Sequence, residues 1–143
     1  MIADFTISSE SEDMDLEAIH AFLSQSYWAF GIPKTTLEKA LSKSLCFGVF
    51  NRQGDQIGFA RAVTDAATFA YLADVYILEE YRGLGLSKWL ISEVVSHRDL
   101  QGLRRITLAT RDAHGLYEQY GFKALANPET FMEAWNPSVY EDE

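Results

Sequence analysis

The sequence predicts an α/β fold, a mixed central β-sheet with helices on both faces. Three observations carry that prediction. Residues 72–78 form an apolar run of strand length, and Leu86, Leu90 and Val94, widened by Ile91 and Val95, form a helical stripe after it. Residues 105–110 then read as another strand, so a strand–helix–strand unit crosses over to a parallel neighbour. Residues 45–50 and 56–64 flank the turn Asn51-Arg52-Gln53-Gly54-Asp55, which adds an antiparallel hairpin.

Taken in order, residues 5–8 alternate and read as an opening strand. A helix is expected from about Asp13, with Leu16, Ile19, Phe22 and Leu23 as its apolar stripe and Asp15 and Glu17 suited to its first turn. The aromatic-rich residues 27–33 end it. They either line a substrate pocket or cover the edge of the core. Thr35 and Glu38 have the spacing of a capping box, which predicts a short helix to about residue 41 or 42. After the hairpin, residues 69–78 return as the central strand. Residues 87–96 are the next helix, and 113–120 a short one ended by Gly121. Residues 122–125 and 130–135 read as two last strands, and 136–143 as an acidic tail. The predicted order is β-α-α-β-β-β-α-β-α-β-β.

The totals bound the class. At 143 residues the chain is read as one domain, 1–143, and its 48% hydrophobic and 13% aromatic content suits a packed core. No stretch has membrane-spanning length, and the N-terminus lacks the form of a signal peptide. Cys46 is the single cysteine, so no internal disulfide or cysteine-cluster metal site is available, and it reads as a small core residue. Together these point to a cytoplasmic location. A net charge of −9 argues against nucleic acid. It suits a cationic or amine-bearing partner, or serves solubility alone.

The loop between the central strand and its helix carries the chemistry. It runs Tyr81-Arg82-Gly83-Leu84-Gly85-Leu86-Ser87. A strand leading through glycines to a helix N-terminus can hold phosphate, because the first helical amides lack partners and the dipole favours negative charge. Arg82 adds a fixed cation suited to phosphate oxygens. The dinucleotide fingerprint needs a third glycine where Lys88 stands, and the Gly-Lys-Ser/Thr of the nucleoside-triphosphate loop is absent. What remains, Arg82, Gly85 and Ser87, resembles the Gln/Arg-x-x-Gly-x-Gly/Ala motif of the GNAT superfamily of N-acetyltransferases. Ser87 departs from the usual Gly/Ala but is small, and its hydroxyl can reach a phosphate. Ala113, Leu116-Tyr117-Glu118 and Gly121-Phe122 resemble a second motif of that superfamily, with Gln119 replacing a common Lys. An upstream Asn that often contacts pantetheine is missing, with Thr110-Arg111-Asp112 in its place.

The resemblance implies the GNAT fold and an acetyl-CoA-dependent transfer of an acetyl group to a primary amine of a small molecule or peptide, with no metal. It implies that Val75, Tyr76 and Ile77 contact pantetheine through their backbone and that Arg82, Gly83, Leu84, Gly85, Leu86 and Ser87 hold the pyrophosphate. A bulge in the central strand near Val75–Ile77 would free amides for the thioester oxygen. Tyr117 would be the general acid, because a phenol can donate to a departing thiolate. Asp74 is a carboxylate in an otherwise apolar strand, on the face opposite Val75 and Ile77. It would act as base, orient the ammonium, or pair with Arg61. Arg61 shares strand parity with Ile57, Phe59 and Val63. It needs a carboxylate, for which Asp65 and Asp74 are the candidates, or else lies at a pocket wall. His114 is a further candidate proton shuttle. The alternative function is a non-catalytic acyl-CoA-binding regulatory module. Superfamily members are often dimers, which makes a homodimer an expectation from resemblance. No membrane partner is expected.

Overall fold

The computed structural model describes residues 2–141. Five strands form one mixed sheet in the order β1 (Thr6–Ser8), β2 (Leu45–Phe50), β3 (Gln56–Thr64), β4 (Phe69–Ile77) and β5 (Arg105–Leu108). The first three pairings are antiparallel, and β4 pairs with β5 in parallel. Helices α1 (Leu16–Leu23) and α2 (Lys34–Ser42) pack on one face through Ile19, Leu23 and Leu37, against Phe59 and Tyr76. Helix α3 (Leu86–Ser96) covers the other face with Leu86, Leu90, Ile91 and Val94, joined there by Tyr117 of α4 (His114–Glu118). Each fully buried aliphatic side chain of α3 contributes roughly 1.5–3 kcal/mol.

Several boundaries differ from the sequence reading for local reasons. α1 starts at Leu16 because the Asp15 carboxylate accepts from the Ala18 amide. The Gln56 side chain in turn accepts from the Asp15 amide at 2.8 Å and fastens α1 to β3. α2 starts at Lys34, so Thr35 is no cap. Pro33 has φ −65°, already suited to a helix, and its carbonyl takes the Leu37 amide. α4 is only five residues long, and Gly121 with φ 89° closes it as expected.

The two predicted last strands do not form; residues 122–135 hold only a 3-10 turn at Pro128–Thr130. A strand exists only where an edge receives it, and β5 is four residues long. The apolar residues Phe131 and Met132 therefore lie on the surface, with Met132 96% exposed. Phe131 lies under the Arg105 guanidinium instead, 5.0 Å from its ring centre.

Two bulges shape the sheet. Val49 and Phe50 pair with Gly58 and Gln56, so Ile57 is an extra residue in β3. Ile57 thus joins the α3 face, while Phe59 lies on the α1 face, and the predicted shared parity of Ile57, Phe59 and Arg61 breaks there. In β4, Phe59 pairs with Tyr76 but Arg61 pairs with Ala73, so Asp74 and Val75 together stand opposite Ala60. Asp74 has φ 58°, and the insertion reverses the alternation. Ala70 and Leu72 before it, and Val75 and Ile77 after it, all face α3.

Candidate active site

The β4–β5 ladder ends at Leu72 and Leu108, just before the β4 bulge. Beyond it the two strands part, and a cleft of about 810 Å³ opens between them. Backbone amides of β4 that would have faced β5 are left without a strand partner along this slot. Val75, Tyr76 and Ile77 all line it, as do Arg82 and Ser87 at one end and Tyr117 on the wall. Gly83, Leu84, Gly85 and Leu86 do not line it. They form the turn that brings Arg82 and Ser87 there. Gly83 and Gly85 have φ 82° and 86°, a conformation that favours glycine. The Leu86 side chain is core, so this residue can meet a ligand only through its backbone at the start of α3. A second hollow, bounded by Phe5, Phe50 and Asn51 beside β1, contains none of these residues.

Arg82 is held by its own strand. Its Nε donates to the Ile77 carbonyl at 2.8 Å, leaving the two terminal nitrogens for an anion. Tyr117 is positioned by its neighbours. The Phe122 ring meets it edge-on at 5.9 Å, and the Tyr120 hydroxyl donates to the Lys88 carbonyl at 2.8 Å, fixing the segment after α4 to α3. Burial pushes the Tyr117 hydroxyl up to about 12, with a smaller contribution from Tyr27. It stays protonated at neutral pH and is a donor. His114, at the exposed start of α4, does not line the cleft.

Asp74 is not a free base. Its Oδ2 accepts from Arg61 Nε at 2.7 Å and its Oδ1 from Trp28 Nε1 at 2.8 Å. Arg61 also donates from Nη1 to the Ser44 hydroxyl. The pairing left open by the sequence is therefore Arg61 with Asp74. The other candidate, Asp65, is spent in the β3–β4 turn on Ala67 and Thr68, and the Thr68 amide leads the hydrogen bonds that hold its carboxyl well below the usual range. Because Trp28 belongs to the α1–α2 loop, Asp74 ties that loop to the bulge. Tyr27, Ala29 and Ile32 of the same loop line the cleft. Cys46 sits in the core on this face, where burial raises its thiol to about 11.

Sequence reasoning missed two contributors. Tyr140, from the stretch read as tail, returns to the cleft and packs by Gly31, whose φ is 79°. Arg111 lies 3.7 Å over the Tyr27 ring. Neither contact has a local sequence signal, since each joins segments distant in the chain. Among the described residues, no three His, Cys, Asp or Glu side chains gather as a metal site requires.

A bulged central strand that parts from its parallel neighbour, with a glycine turn and helix N-terminus at one end of the slot, is the architecture of the GNAT acyl-CoA N-acyltransferase fold. The pattern of the acetyltransferase (GNAT) domain matches residues 43–124, and the chain belongs to that family. A solved structure from Xanthomonas campestris pv. campestris, described as a candidate acetyltransferase of the GNAT family, is 47% identical. It superposes with a TM-score of 0.93, covering 98% of this chain and 99% of that one. A candidate acetyltransferase of Gibberella zeae is 33% identical, covering 80% of this chain and 76% of its own. The [ribosomal protein bS18]-alanine N-acetyltransferase of Haemophilus influenzae is 31% identical, covering 84% and 83%.

Proposed function

We propose that the chain is an acetyl-CoA-dependent N-acetyltransferase that passes the acetyl group directly to a primary amine. The observation that carries this reading is the placement of the Tyr117 hydroxyl. It shares one cleft with the exposed terminal nitrogens of Arg82 and the unpartnered backbone of the β4 bulge. The residues fit the co-substrate: Arg82, Ser87 and the first amides of α3 suit a pyrophosphate, and the parted strands suit an extended pantetheine arm. The Haemophilus influenzae relative, whose named acceptor is an alanine of a ribosomal protein, agrees with an amine acceptor.

In the reaction the amine nitrogen bonds to the acetyl carbon and the carbon–sulfur bond breaks. One proton leaves the nitrogen and one arrives on the sulfur. Bulge amides near Val75 donate to the carbonyl oxygen as charge grows on it, an arrangement whose loss in other enzymes costs about 10²–10³ in rate. Tyr117 donates to the sulfur. Asp74, with both oxygens engaged, positions the bulge and the Trp28 loop, and the nitrogen's proton leaves to solvent, from which Tyr117 regains the proton it gave to the sulfur.

The engagement of both Asp74 oxygens favours one second reading, a module that binds the acyl-CoA without transfer. Amine-dependent release of free thiol from acetyl-CoA, followed together with the mass of the acetylated amine, separates the two. Release that tracks the amine concentration is the expected result. Coenzyme binding without thiol release for any primary amine supports the binding module.

A further inference from the structure

We infer that Arg111 is the recognition group for a carboxylate on the acceptor, so that preferred substrates are primary amines with a carboxylate on a flat, apolar body. The inference rests on the acetyltransferase reading above. Three arginines line the cleft: Arg61, Arg82 and Arg111. Arg61 is neutralised by Asp74 and bonded to Ser44. Arg82 is anchored to Ile77 at the phosphate end. Arg111 alone is unspent. Among the described residues no carboxylate lies within ion-pair distance of it, and no hydrogen bond holds it.

The guanidinium is nonetheless placed. Its central carbon lies 3.7 Å from the Tyr27 ring centre, so one face rests on an aromatic surface. Its N–H groups lie in its own plane and remain open to a planar acceptor, which a carboxylate matches with two parallel bonds. The stack limits the freedom of a long side chain before a ligand arrives, which lowers the cost of binding. Aromatic side chains are plentiful in the lining: Phe22, Trp28, Tyr71 and Tyr140 line the same cleft as Tyr27. That lining suits a flat apolar body between the carboxylate and the amine. The neighbouring carboxylate, Asp112, also lines the cleft but makes no ion pair with Arg111.

The test measures kcat/KM at saturating acetyl-CoA for two matched pairs. These are L-phenylalanine with 2-phenylethylamine, and 4-(aminomethyl)benzoate with benzylamine. In at least one pair the carboxylate-bearing member is expected to lead by about tenfold to a hundredfold, the range of a charge-assisted contact. In Arg111→Ala the ratio within that pair falls to about one, and Arg111→Lys restores part of it. Ratios near one for both pairs in the native protein overturn the inference, and so does the absence of turnover for every member. Equal losses for both members in Arg111→Ala also overturn it, by making the stack a latch between loops. A weakened response of Arg111→Ala to acetyl-CoA in thermal unfolding overturns it by assigning Arg111 to the coenzyme. If native protein itself shows no thermal response to acetyl-CoA, the acetyltransferase reading fails first. A thermal response without carboxylate preference is the failure of this inference alone.

Discussion

Replacing Tyr117 by phenylalanine is expected to lower kcat by about 10²- to 10⁴-fold while acetyl-CoA binds as before. The substitution removes one oxygen. The ring keeps its edge-on contact with Phe122, and the anchor from Tyr120 to Lys88 is untouched, so α4 retains its place. Burial pushes the hydroxyl up to about 12, which keeps it neutral and able to donate at every pH where the protein would work. The donor is also a better hydrogen-bond partner for a thiolate than for a thioester sulfur, so its effect belongs to the transition state and appears in kcat. Steady-state kinetics together with a binding titration check this. Unchanged kcat would move the donation to another group. A parallel loss of coenzyme affinity would make the hydroxyl a binding contact.

Asp74→Ala is expected to destabilise the fold by about 3 kcal/mol, because it strands a largely buried partner. The Asp74 and Arg61 side chains are only 10% and 19% exposed, and the substitution also leaves the Trp28 indole N–H without its acceptor. For a chain of this size the loss corresponds to a fall of roughly 10 °C in Tm. Asp74→Asn keeps an acceptor for Trp28 and tolerates a positive φ, so it loses less stability. Its kcat is expected to stay within about tenfold of the native value, since no base has been removed. Thermal unfolding and kcat measured on both variants separate positioning from proton abstraction. An Asp74→Asn protein of native stability with kcat down by more than about 10³ would make Asp74 the base.

The parts of the fold that rest on periodicity were legible in the sequence. The α3 stripe buries its apolar side chains as its spacing requires, and the β2–β3 hairpin and the 72–77 strand form where their apolar runs lie. The segment 130–135 shows the limit of that argument. It reads as a strand, but pairing depends on a free edge elsewhere, which no local window contains. Bulges are hidden for a similar reason. The extra residue at Asp74 reverses the facing of everything after it, and only the register against β3 reveals it. For the site, the Arg82–Ser87 loop and Tyr117 were findable because each sits in a short contiguous pattern. The Trp28–Asp74 bond spans 46 residues, and Arg111 meets Tyr27 across an even longer stretch, so neither leaves a mark in the sequence.

Thermal unfolding with and without acetyl-CoA, on native protein and on Gly85→Asp, tests the acetyltransferase reading most directly. Asp is tolerated at a helix N-cap and at positive φ, so the variant is expected to fold. Its carboxylate, however, adds a negative charge at the start of α3, which opposes a phosphate there. Ligand at a hundred times its Kd adds about 2.7 kcal/mol of stability, a rise of several degrees. The expected result is that rise in native protein and none in Gly85→Asp. No rise in native protein at millimolar acetyl-CoA would contradict the phosphate-binding role of the Arg82–Ser87 loop and, with it, the proposed activity.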